Sequence, residues 1–310
     1  MENQLRTITI LGTGVWGSAL GKLVNNRDRV RFWSRRNGAT LAEVIQDSSV
    51  IVSAISMKGV QPTIDRLKQI VVTPETIIVS ATKGLDSQTT QTPSQIWRQA
   101  FPHNPIVVLS GPNLSQEIEQ KLPAATVVAS HDYSAAKTVR EIFASELFRV
   151  YLNQDPLGTE LGGTLKNVIA IAAGVCDGLE LGTNAKSALL TRALPEIIGI
   201  GTCLGAKAET FFGLSGLGDL IATCESHLSR NYQVGYGLAK GKTLSQILAE
   251  LEGTAEGINT TQVLLKIAQR EKIAIPIAEG VNLLLKGEIT PQQVVKALMV
   301  RDLKAEFKFD

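Results

Sequence analysis

The chain has 310 residues, 44% of them hydrophobic, and its 31 basic and 29 acidic side chains leave a formal net charge of +2. This length and composition are typical of a globular protein with one or two domains, and the charge balance argues against broad binding to nucleic acid or to membrane surfaces. Three cysteines without metal-ligand spacing predict neither a metal site nor a disulfide framework, and without a signal-peptide core or a bilayer-spanning apolar run we expect a cytoplasmic protein.

The first predicted strand, Leu5 to Leu11, runs directly into the sequence G-T-G-V-W-G, after which S-A-L-G-K-L-V begins a helix. A G-x-G-x-x-G motif between a strand and a helix is typical of a dinucleotide site. Its glycines allow a tight turn, and the helix N-terminus faces the pyrophosphate. Gly12, Gly14 and Gly17 are therefore candidate cofactor residues, with an ordinary glycine turn as the alternative.

The second predicted strand, Arg29 to Trp33, ends without the acidic residue that usually binds the ribose hydroxyls of NAD. Ser34, Arg35 and Arg36 stand there instead. Since an arginine at this position can pair with a 2′-phosphate, we expect the site to accept NADPH. Two solvated surface arginines are the alternative.

Five further strands are predicted, and helices alternate with them. They span Ser49–Ala54, Glu75–Ala81, Pro105–Leu109, Ala124–Ser130 and Leu147–Leu152, with a helix at Ser134–Ala144. The third and fourth strands are near-continuous apolar runs, as expected for parallel strands covered on both faces. The pattern predicts an α/β fold with a doubly wound, Rossmann-type, mostly parallel sheet, which forms a dinucleotide-binding domain over residues 1–152.

Two loops that follow strands of this sheet carry polar candidates. Ligands of such sheets bind beyond the carboxyl ends of the strands. Lys83, in T-K-G after the fourth strand, is placed to meet a charged or carbonyl-bearing group. Gly111 and Asn113, in S-G-P-N after the fifth strand, are placed to line the same cleft. A solvated loop lysine and a plain turn are the alternatives.

Strand patterns stop near residue 152, and the rest of the chain is mostly helical in its periodicity. The predicted helices are 156–179, 184–203, 229–240, 243–251, 257–270, 277–285 and 290–300. Between the second and third of these, Thr210 to Asn231 is predicted to be rich in loops. We therefore expect an all-helical C-terminal domain over residues 153–310.

The helix predicted at 156–179 contains an unusual lysine. Asp155 can cap this helix and Pro156 suits its first position. Lys166 has apolar or small neighbours at three, four and seven residues along the helix, and Asn167 follows it. Buried polar groups are costly without partners. Lys166 is therefore either a lysine that extends its charge to water or a general acid/base whose pKa is lowered by burial.

The loop-rich segment contains a dense group of candidates. Its glycines indicate close backbone approach to a ligand, with tight helix packing as the alternative. They are Gly213, Gly216 and Gly218. Asp219 follows them and Thr223 lies one helical turn further on. Ser229, Arg230 and Asn231 can cap a helix and offer donors to a phosphate.

With these residues in view, the chain resembles bacterial NAD(P)-dependent glycerol-3-phosphate dehydrogenases over nearly its whole length. The matching segments are GTGVWGSAL, SATKGL, SGPNLSQE, LGGTLKNVIAIAAGVCDGL, GTNAKSALLTR, TFFGLSGLGDLIATC, SRNYQVG and EGINTT. The order of TLKNVIAIAAG, GLSGLGD and SRN is highly specific. The resemblance implies reversible, NAD(P)H-dependent reduction of dihydroxyacetone phosphate to sn-glycerol 3-phosphate for phospholipid synthesis. It also implies a small phosphorylated substrate, no membrane span and a cytoplasmic homodimer.

The resemblance also implies roles for individual residues. Lys166 matches the proton-transfer lysine, and Asn167 and Thr223 match neighbouring active-site positions. Matches to substrate positions are Lys83, Gly111, Asp219, Ser229, Arg230 and Asn231. Asn113 and Lys166 are also candidate substrate contacts. Matches to dinucleotide positions are Val15, Trp16, Arg35, Lys83, Ser115, Arg230, Thr254 and Glu256. NADP(H), NAD(H) or both are the implied cofactors.

Several features depart from the family pattern or leave alternatives open. The family usually has roughly twenty more residues between its second and third strands, whereas this chain has only Asn37 to Asp47. Asn113 stands where Ser or Thr is common, and Val15 where a small residue is common. Another β-hydroxyacid-type dehydrogenase and a non-catalytic NADP(H)-binding sensor are the alternative functions. A sensor would not need Lys166, Asp219 and Arg230 together.

Overall fold

The computed structural model describes residues 5–36 and 38–301. Its seven-stranded sheet comprises β1 (Thr7–Leu11), β2 (Arg29–Trp33), β3 (Val50–Ser53), β4 (Ile77–Ser80), β5 (Ile106–Ser110), β6 (Ala124–Ala129) and β7 (Phe148–Asn153). The spatial order is β2-β1-β3-β4-β5-β6-β7. Neighbouring strands run parallel except β5 and β6, which pair antiparallel. The predicted mostly parallel sheet is confirmed.

Helices cover both faces of the sheet. They are α1 (Val15–Leu23), α2 (Leu41–Ile45), α3 (Met57–Leu67), α4 (Pro93–Ala100), α5 (Ser115–Glu119) and α6 (Tyr133–Phe143). Successive side chains of a strand point to opposite faces, so Ile10 and Val52 pack with α1, α5 and α6. Their neighbours Leu11 and Ile51 pack with α2, α3 and α4. These two apolar layers give the doubly wound architecture.

The second half of the chain is helical, as predicted, and is arranged around α7. Its helices are α7 (Pro156–Gly178), α8 (Gly182–Cys203), α9 (Asp219–Glu225), α10 (Arg230–Ala239), α11 (Leu244–Glu250), α12 (Glu256–Glu271), α13 (Pro276–Lys286) and α14 (Pro291–Met299). Helix α7 contacts α8, α9, α10, α12 and α13, and it also packs on β5 and β6. It is therefore both the centre of the helical unit and its contact with the sheet.

Small residues allow α7 and α10 to approach each other closely. A methyl group at Gly235 would lie 1.8 Å from the carbonyl oxygen of Ile171, and one at Gly174 would lie 2.1 Å from that of Tyr232. Any larger side chain at these positions would force the two backbones apart. The close crossing fixes α10, which begins with Arg230 and Asn231, against the lysine-bearing helix.

The predicted loop-rich segment, Thr210 to Asn231, is wrong in one respect, because most of it is helical. A 3₁₀ turn (Ala208–Phe212) and a π-helical turn (Leu214–Gly218) lead directly into α9. Glycine disfavours helix, but here packing requires it: a methyl group at Gly216 would lie 2.1 Å from the carbonyl oxygen of Phe211. Helix α1 likewise begins earlier than predicted, at Val15 within the glycine motif.

The short connection between β2 and β3 contains the helix α2. Thr40 caps this helix by accepting a hydrogen bond from the Glu43 amide at 3.3 Å, and Glu43 accepts one from the Thr40 amide at 2.9 Å. Asn37, within this connection, lies outside the described residues. The proposed domain boundary, between β7 and α7, stays a prediction. Within residues 5–36 and 38–301, none of the helices has the length and apolarity needed to cross a membrane.

Candidate active site

The unusual lysine of α7 is buried and fully paired. Asp155 caps the helix by accepting a hydrogen bond from the Gly158 amide at 2.9 Å, as predicted. Lys166, further along, is 6% exposed, and its Nζ donates to Oδ1 of Asp219 at 2.9 Å and to Oγ1 of Thr223. Its charge is therefore held inside the protein, unlike that of a lysine that extends to water.

Asp219 joins two lysines that come from the two halves of the chain. Its Oδ1 accepts from Lys166 and, at 3.2 Å, from the hydroxyl of Thr223, four residues further along α9. Its Oδ2 accepts from Nζ of Lys83 at 2.5 Å. Since one carboxylate serves two ammonium groups, this cluster keeps a positive charge and suits an anionic or carbonyl-bearing ligand.

The pKa of Lys166 is lowered to about 8, and burial is the largest cause. Its two charged neighbours act on this pKa in opposite directions. Asp219 raises the pKa, whereas the nearby positive charge of Lys83 lowers it. A lysine with a pKa near the physiological range can both give and accept a proton, which an exposed lysine does poorly.

Lys83 lies just beyond the carboxyl end of β4, the edge at which open α/β sheets in general bind ligands. Its side chain is 23% exposed and therefore partly accessible to solvent, in contrast to the more deeply buried Lys166. Its Nζ also donates to the backbone oxygen of Gly111, beyond β5, at 3.3 Å. The structure thus brings together residues predicted in three separate segments, and the S-G-P-N turn contributes a backbone oxygen.

A second polar group surrounds the start of α10. Asn231 is buried, and its amide donates to Oδ1 of Asn167 at 2.9 Å and accepts from the Gly257 amide at 2.9 Å. The Ser229 hydroxyl caps α10 by accepting from the Tyr232 amide at 3.3 Å. Arg230, between them, is exposed. Asn231 is therefore fixed, whereas the guanidinium of Arg230 is accessible to a ligand.

The glycine motif after β1 has the properties of a nucleotide cradle. A methyl group at Gly12 would lie 2.5 Å from the carbonyl oxygen of Ala54, and one at Gly17 would lie 2.0 Å from that of Gly12. At Gly14 nothing lies within 4 Å, and no side chain caps α1 there. Two glycines thus build the turn, while the third leaves uncapped helix amides open to an anion such as a pyrophosphate.

The other predicted cofactor residues differ in their contacts and in their exposure. The Trp16 indole donates to the carbonyl oxygen of Ala81 at 2.9 Å, which ties the glycine motif to the Lys83 loop. Glu256, at the start of α12, accepts from the Met57 amide at 3.3 Å, and burial raises its pKa. The remaining predicted residues are accessible: Ser115 is half-buried on α5, which packs on α1, and Val15, Arg35, Arg36 and Thr254 are exposed.

One predicted side chain, that of Asn113, is already paired within the protein. The Asn113 amide donates to the carbonyl oxygen of Ala125 at 3.1 Å and accepts from the Thr126 hydroxyl at 2.9 Å, so it holds β6. Conversely, two buried polar residues of α7, Glu160 and Thr164, are absent from the sequence prediction. Both bond to the sheet unit, at Ser94 and Gly84 among others. Their only signal in the sequence is a polar side chain within an apolar helix.

The comparisons with known proteins place both halves of the chain in one family. Family models described as the N-terminus and C-terminus of NAD-dependent glycerol-3-phosphate dehydrogenase match residues 36–136 and 155–296. A glycerol-3-phosphate dehydrogenase [NAD(P)+] of Nostoc sp. strain PCC 7120 is 62% identical over 305 residues, which cover 98% of this chain and 99% of the relative. One from Acaryochloris marina is 64% identical over 300 residues, covering 96% and 97%.

A solved structure extends the match to the fold. The glycerol-3-phosphate dehydrogenase of Coxiella burnetii superposes with a TM-score of 0.91 at 31% sequence identity, covering 96% of this chain and 99% of that one. The resemblance seen in the sequence motifs is thereby confirmed. The chain belongs to the NAD-dependent glycerol-3-phosphate dehydrogenase family.

Proposed function

We propose that the chain catalyses reversible hydride transfer between NAD(P)H and dihydroxyacetone phosphate, which forms sn-glycerol 3-phosphate. The observation that carries this proposal is the cluster of Lys166, Asp219 and Lys83 at the junction of the sheet and the helical unit. A buried lysine with a lowered pKa, a positive surrounding and a neighbouring nucleotide cradle are the groups that ketone reduction requires. The names of the relatives support the same reaction.

The residues of the cradle fit the cofactor. Bound NAD(P)H supplies the hydride. The open backbone at Gly14 and the uncapped start of α1 would hold the pyrophosphate. Arg35 and Arg36, exposed after β2, would pair with a 2′-phosphate. The other residues proposed to line this site are Gly12, Val15, Trp16, Gly17, Lys83, Ser115, Arg230, Thr254 and Glu256.

In the proposed mechanism Lys166 is the general acid of the reduction. Its ammonium gives a proton to the carbonyl oxygen as the carbonyl carbon accepts the hydride, and it takes the proton back during oxidation. Asp219 and Thr223 hold its Nζ, so the donated proton starts from a fixed position. Asp219 also connects Lys166 to the partly exposed Lys83, which offers a route for a proton to return from solvent.

The start of α10 is the proposed phosphate anchor. The Ser229 hydroxyl accepts a hydrogen bond from the Tyr232 amide. The backbone amides of Arg230 and Asn231 and the exposed guanidinium of Arg230 therefore remain available to bind a phosphate. Binding the phosphate there would fix the carbonyl beside Lys166, the positional part of catalysis. Lys83, Asn167 and the backbone at Gly111 would contact the substrate oxygens. Because the Asn113 amide bonds to β6, we assign it a role in shaping the turn at Gly111.

Wider roles follow from the proposed reaction. We infer that residues 1–152 hold the cofactor and residues 153–310 supply the substrate site. The product is the glycerol phosphate unit of phospholipids, so the enzyme would supply phospholipid synthesis in the cytoplasm. A homodimer is the assembly that the family resemblance implies.

The test is oxidation of NADPH in the presence of dihydroxyacetone phosphate, with NADH measured in parallel and unphosphorylated dihydroxyacetone as the control. We expect rapid oxidation that depends on the phosphate, because Arg230 and Asn231 anchor that group. If a folded protein that binds NADPH oxidises neither cofactor, the proposal fails. A different hydroxyacid substrate, or a sensor without turnover, would then be the better assignment.

A further inference from the structure

The two lysines of the proposed site belong to different structural units. Lys83 follows β4 of the sheet, whereas Lys166 is on α7 of the helical unit, and both bond to Asp219. Any movement between the two units would change the distance between the ammonium groups and the position of a substrate oxygen. The geometry therefore needs a direct connection between the backbone near Lys83 and the backbone near Lys166.

The loop that carries Lys83 is held on both sides of that residue. Before it, the Thr82 hydroxyl lies 3.1 Å from the Ser53 hydroxyl of β3. After it, Gly84 has φ of +148°, a conformation that side chains other than hydrogen rarely allow. The next residue, Leu85, is fully buried in the apolar core of the helical unit. The loop thus crosses from one unit into the other at Gly84.

Thr164 makes one of the contacts at this crossing point. It is 0% exposed and lies two residues before Lys166 on the same helix. Its Oγ1 accepts a hydrogen bond from the Gly84 amide at 3.1 Å. Other helical threonines, such as Thr260 and Thr261, donate instead to the carbonyl oxygen four residues earlier. The Thr164 hydroxyl is therefore used between the two units.

We propose that Thr164 is a positioning residue that fixes the distance between Lys83 and Lys166 through its hydrogen bond to the Gly84 amide. Its hydrogen-bond partner, Gly84, directly follows Lys83 in the chain, and Thr164 itself lies two residues before Lys166 on α7. Because α7 is a rigid, buried helix, the position of Thr164 determines that of Lys166. The role is specific to this reaction, so it rests on the function proposed above.

Removing the hydroxyl has a defined consequence. In Thr164→Val the side chain keeps its shape, but the buried Gly84 amide loses its acceptor. The Lys83 loop would then move away from Asp219 and Lys166. The groups that face Lys166 are Asp219, Lys83 and Cys224. With Lys83 further away, less positive charge would oppose protonation of Lys166, so its pKa would rise.

The experiment compares Thr164→Val, Thr164→Ser and Thr164→Ala with Thr159→Val as the matched control. Thr159 is also 0% exposed on α7, but its hydroxyl has no hydrogen-bond partner within the described residues. For each variant one measures kcat and KM for dihydroxyacetone phosphate across pH, the Kd of NADPH, the thermal midpoint, and amide hydrogen exchange of the peptide that contains residues 82–86.

For Thr164→Val we expect kcat to fall about 10- to 100-fold, the scale of a misplacement near 1 Å, with an unchanged Kd for NADPH. The fall in activity at alkaline pH should shift to higher pH, and the 82–86 peptide should exchange faster. Thr164→Ser should recover most of kcat, and Thr159→Val should behave like the wild type.

Several results would overturn the proposal. One is a wild-type kcat and pH profile in Thr164→Val. Another is loss of kcat together with an equal loss of NADPH affinity and thermal stability and no change of pH profile, which would indicate a general structural role. If Thr164→Val does not fold, wild-type kinetics in Thr164→Ala would refute it. If the wild type is inactive but the 82–86 peptide exchanges faster only in Thr164→Val, the hydrogen bond has the proposed effect on the loop. That result would contradict the proposed reaction and leave the positioning contact intact.

Discussion

Lys166 shows how a single side chain is tuned by its surroundings. Burial makes its charged form less stable, while Asp219 and Thr223 hold that form in place by hydrogen bonds. Lys83 bonds to the other oxygen of the Asp219 carboxylate, and its positive charge destabilises the protonated form of Lys166. The outcome is a lysine that is mostly protonated near neutral pH and can nevertheless lose its proton during a reaction.

This tuning predicts opposite pH dependences for the two directions of the reaction. Reduction needs the ammonium of Lys166, so its kcat/KM should fall as pH rises through about 8. Oxidation needs the neutral amine, so its kcat/KM should rise over the same range. Steady-state kinetics in both directions would measure this pH dependence.

Replacing the lysine tests the assignment directly. In Lys166→Ala the change of kcat/KM near pH 8 should disappear, and turnover should fall about 10²-fold or more. Near-normal turnover in that variant would refute the assignment.

Arg35 supports a second prediction, on cofactor choice. It is exposed directly after β2, where a 2′-phosphate would lie. Arg35→Ala should raise KM for NADPH about 10-fold, the scale of one lost charge-assisted hydrogen bond, and leave KM for NADH unchanged. Arg27→Ala, an exposed arginine that precedes β2, is the matched control and should change neither value. Equal effects on both cofactors would contradict the role.

At the scale of helices and strands, packing decides where sequence patterns mislead. Apolar periodicity located the long helices and the buried strands, because those elements are stabilised by one continuous apolar face or run. The segment around Gly216 was predicted as loop, since glycine lowers helix propensity. Its helical turns depend on a backbone contact with Phe211 that periodicity does not encode.

The crossing of α7 and α10 gives a prediction for these elements. Gly235→Ala would place a methyl group 1.8 Å from the Ile171 carbonyl oxygen, so the helices must separate. We expect a loss of about 2 kcal/mol or more of unfolding free energy, as for other overpacked cores. Gly199→Ala in α8 is the control, because nothing lies within 4 Å of the added methyl group. It should stabilise by about 0.5–1 kcal/mol. Chemical denaturation measures both, and an unchanged stability in Gly235→Ala would refute the close crossing.

Across the whole molecule, the sequence alone predicts single motifs and elements better than the contacts between distant elements. The glycine motif predicted a nucleotide cradle, since its three glycines are local. Lys83 and Asp219 are 136 residues apart, and their contact follows from how α7 packs on α9 and on the sheet at β5 and β6. From the residues alone they were separate candidates, and only the family resemblance placed them in one site. The antiparallel pairing of β6 with β5 is likewise a property of the assembled sheet.

One buried carboxylate makes several polar contacts at the junction of the two units. Glu160 of α7 is 2% exposed and accepts from the Ser80 hydroxyl at 2.7 Å and from the Ser94 amide at 3.0 Å. Burial raises its pKa, so its charged form depends on these donors. Ser80 belongs to β4 and Ser94 to α4. A helix of the second half is thus joined to the sheet by polar contacts that water cannot replace.

This junction should make the molecule unfold as one unit, and the chain supplies probes for each half. Its three tryptophans, Trp16, Trp33 and Trp97, all lie in the sheet unit, whereas far-UV circular dichroism reports mainly the helical unit. In the wild type the two signals should have the same denaturation midpoint.

Replacing the buried carboxylate should weaken this coupling. Glu160→Ala leaves buried donors unpaired, so we expect the unfolding free energy to fall by about 3 kcal/mol and the two midpoints to separate. Glu160→Gln keeps an acceptor and should retain coincident midpoints. Coincidence in Glu160→Ala as well would mean that apolar packing of α7 on β5 and β6 is sufficient to couple the two units.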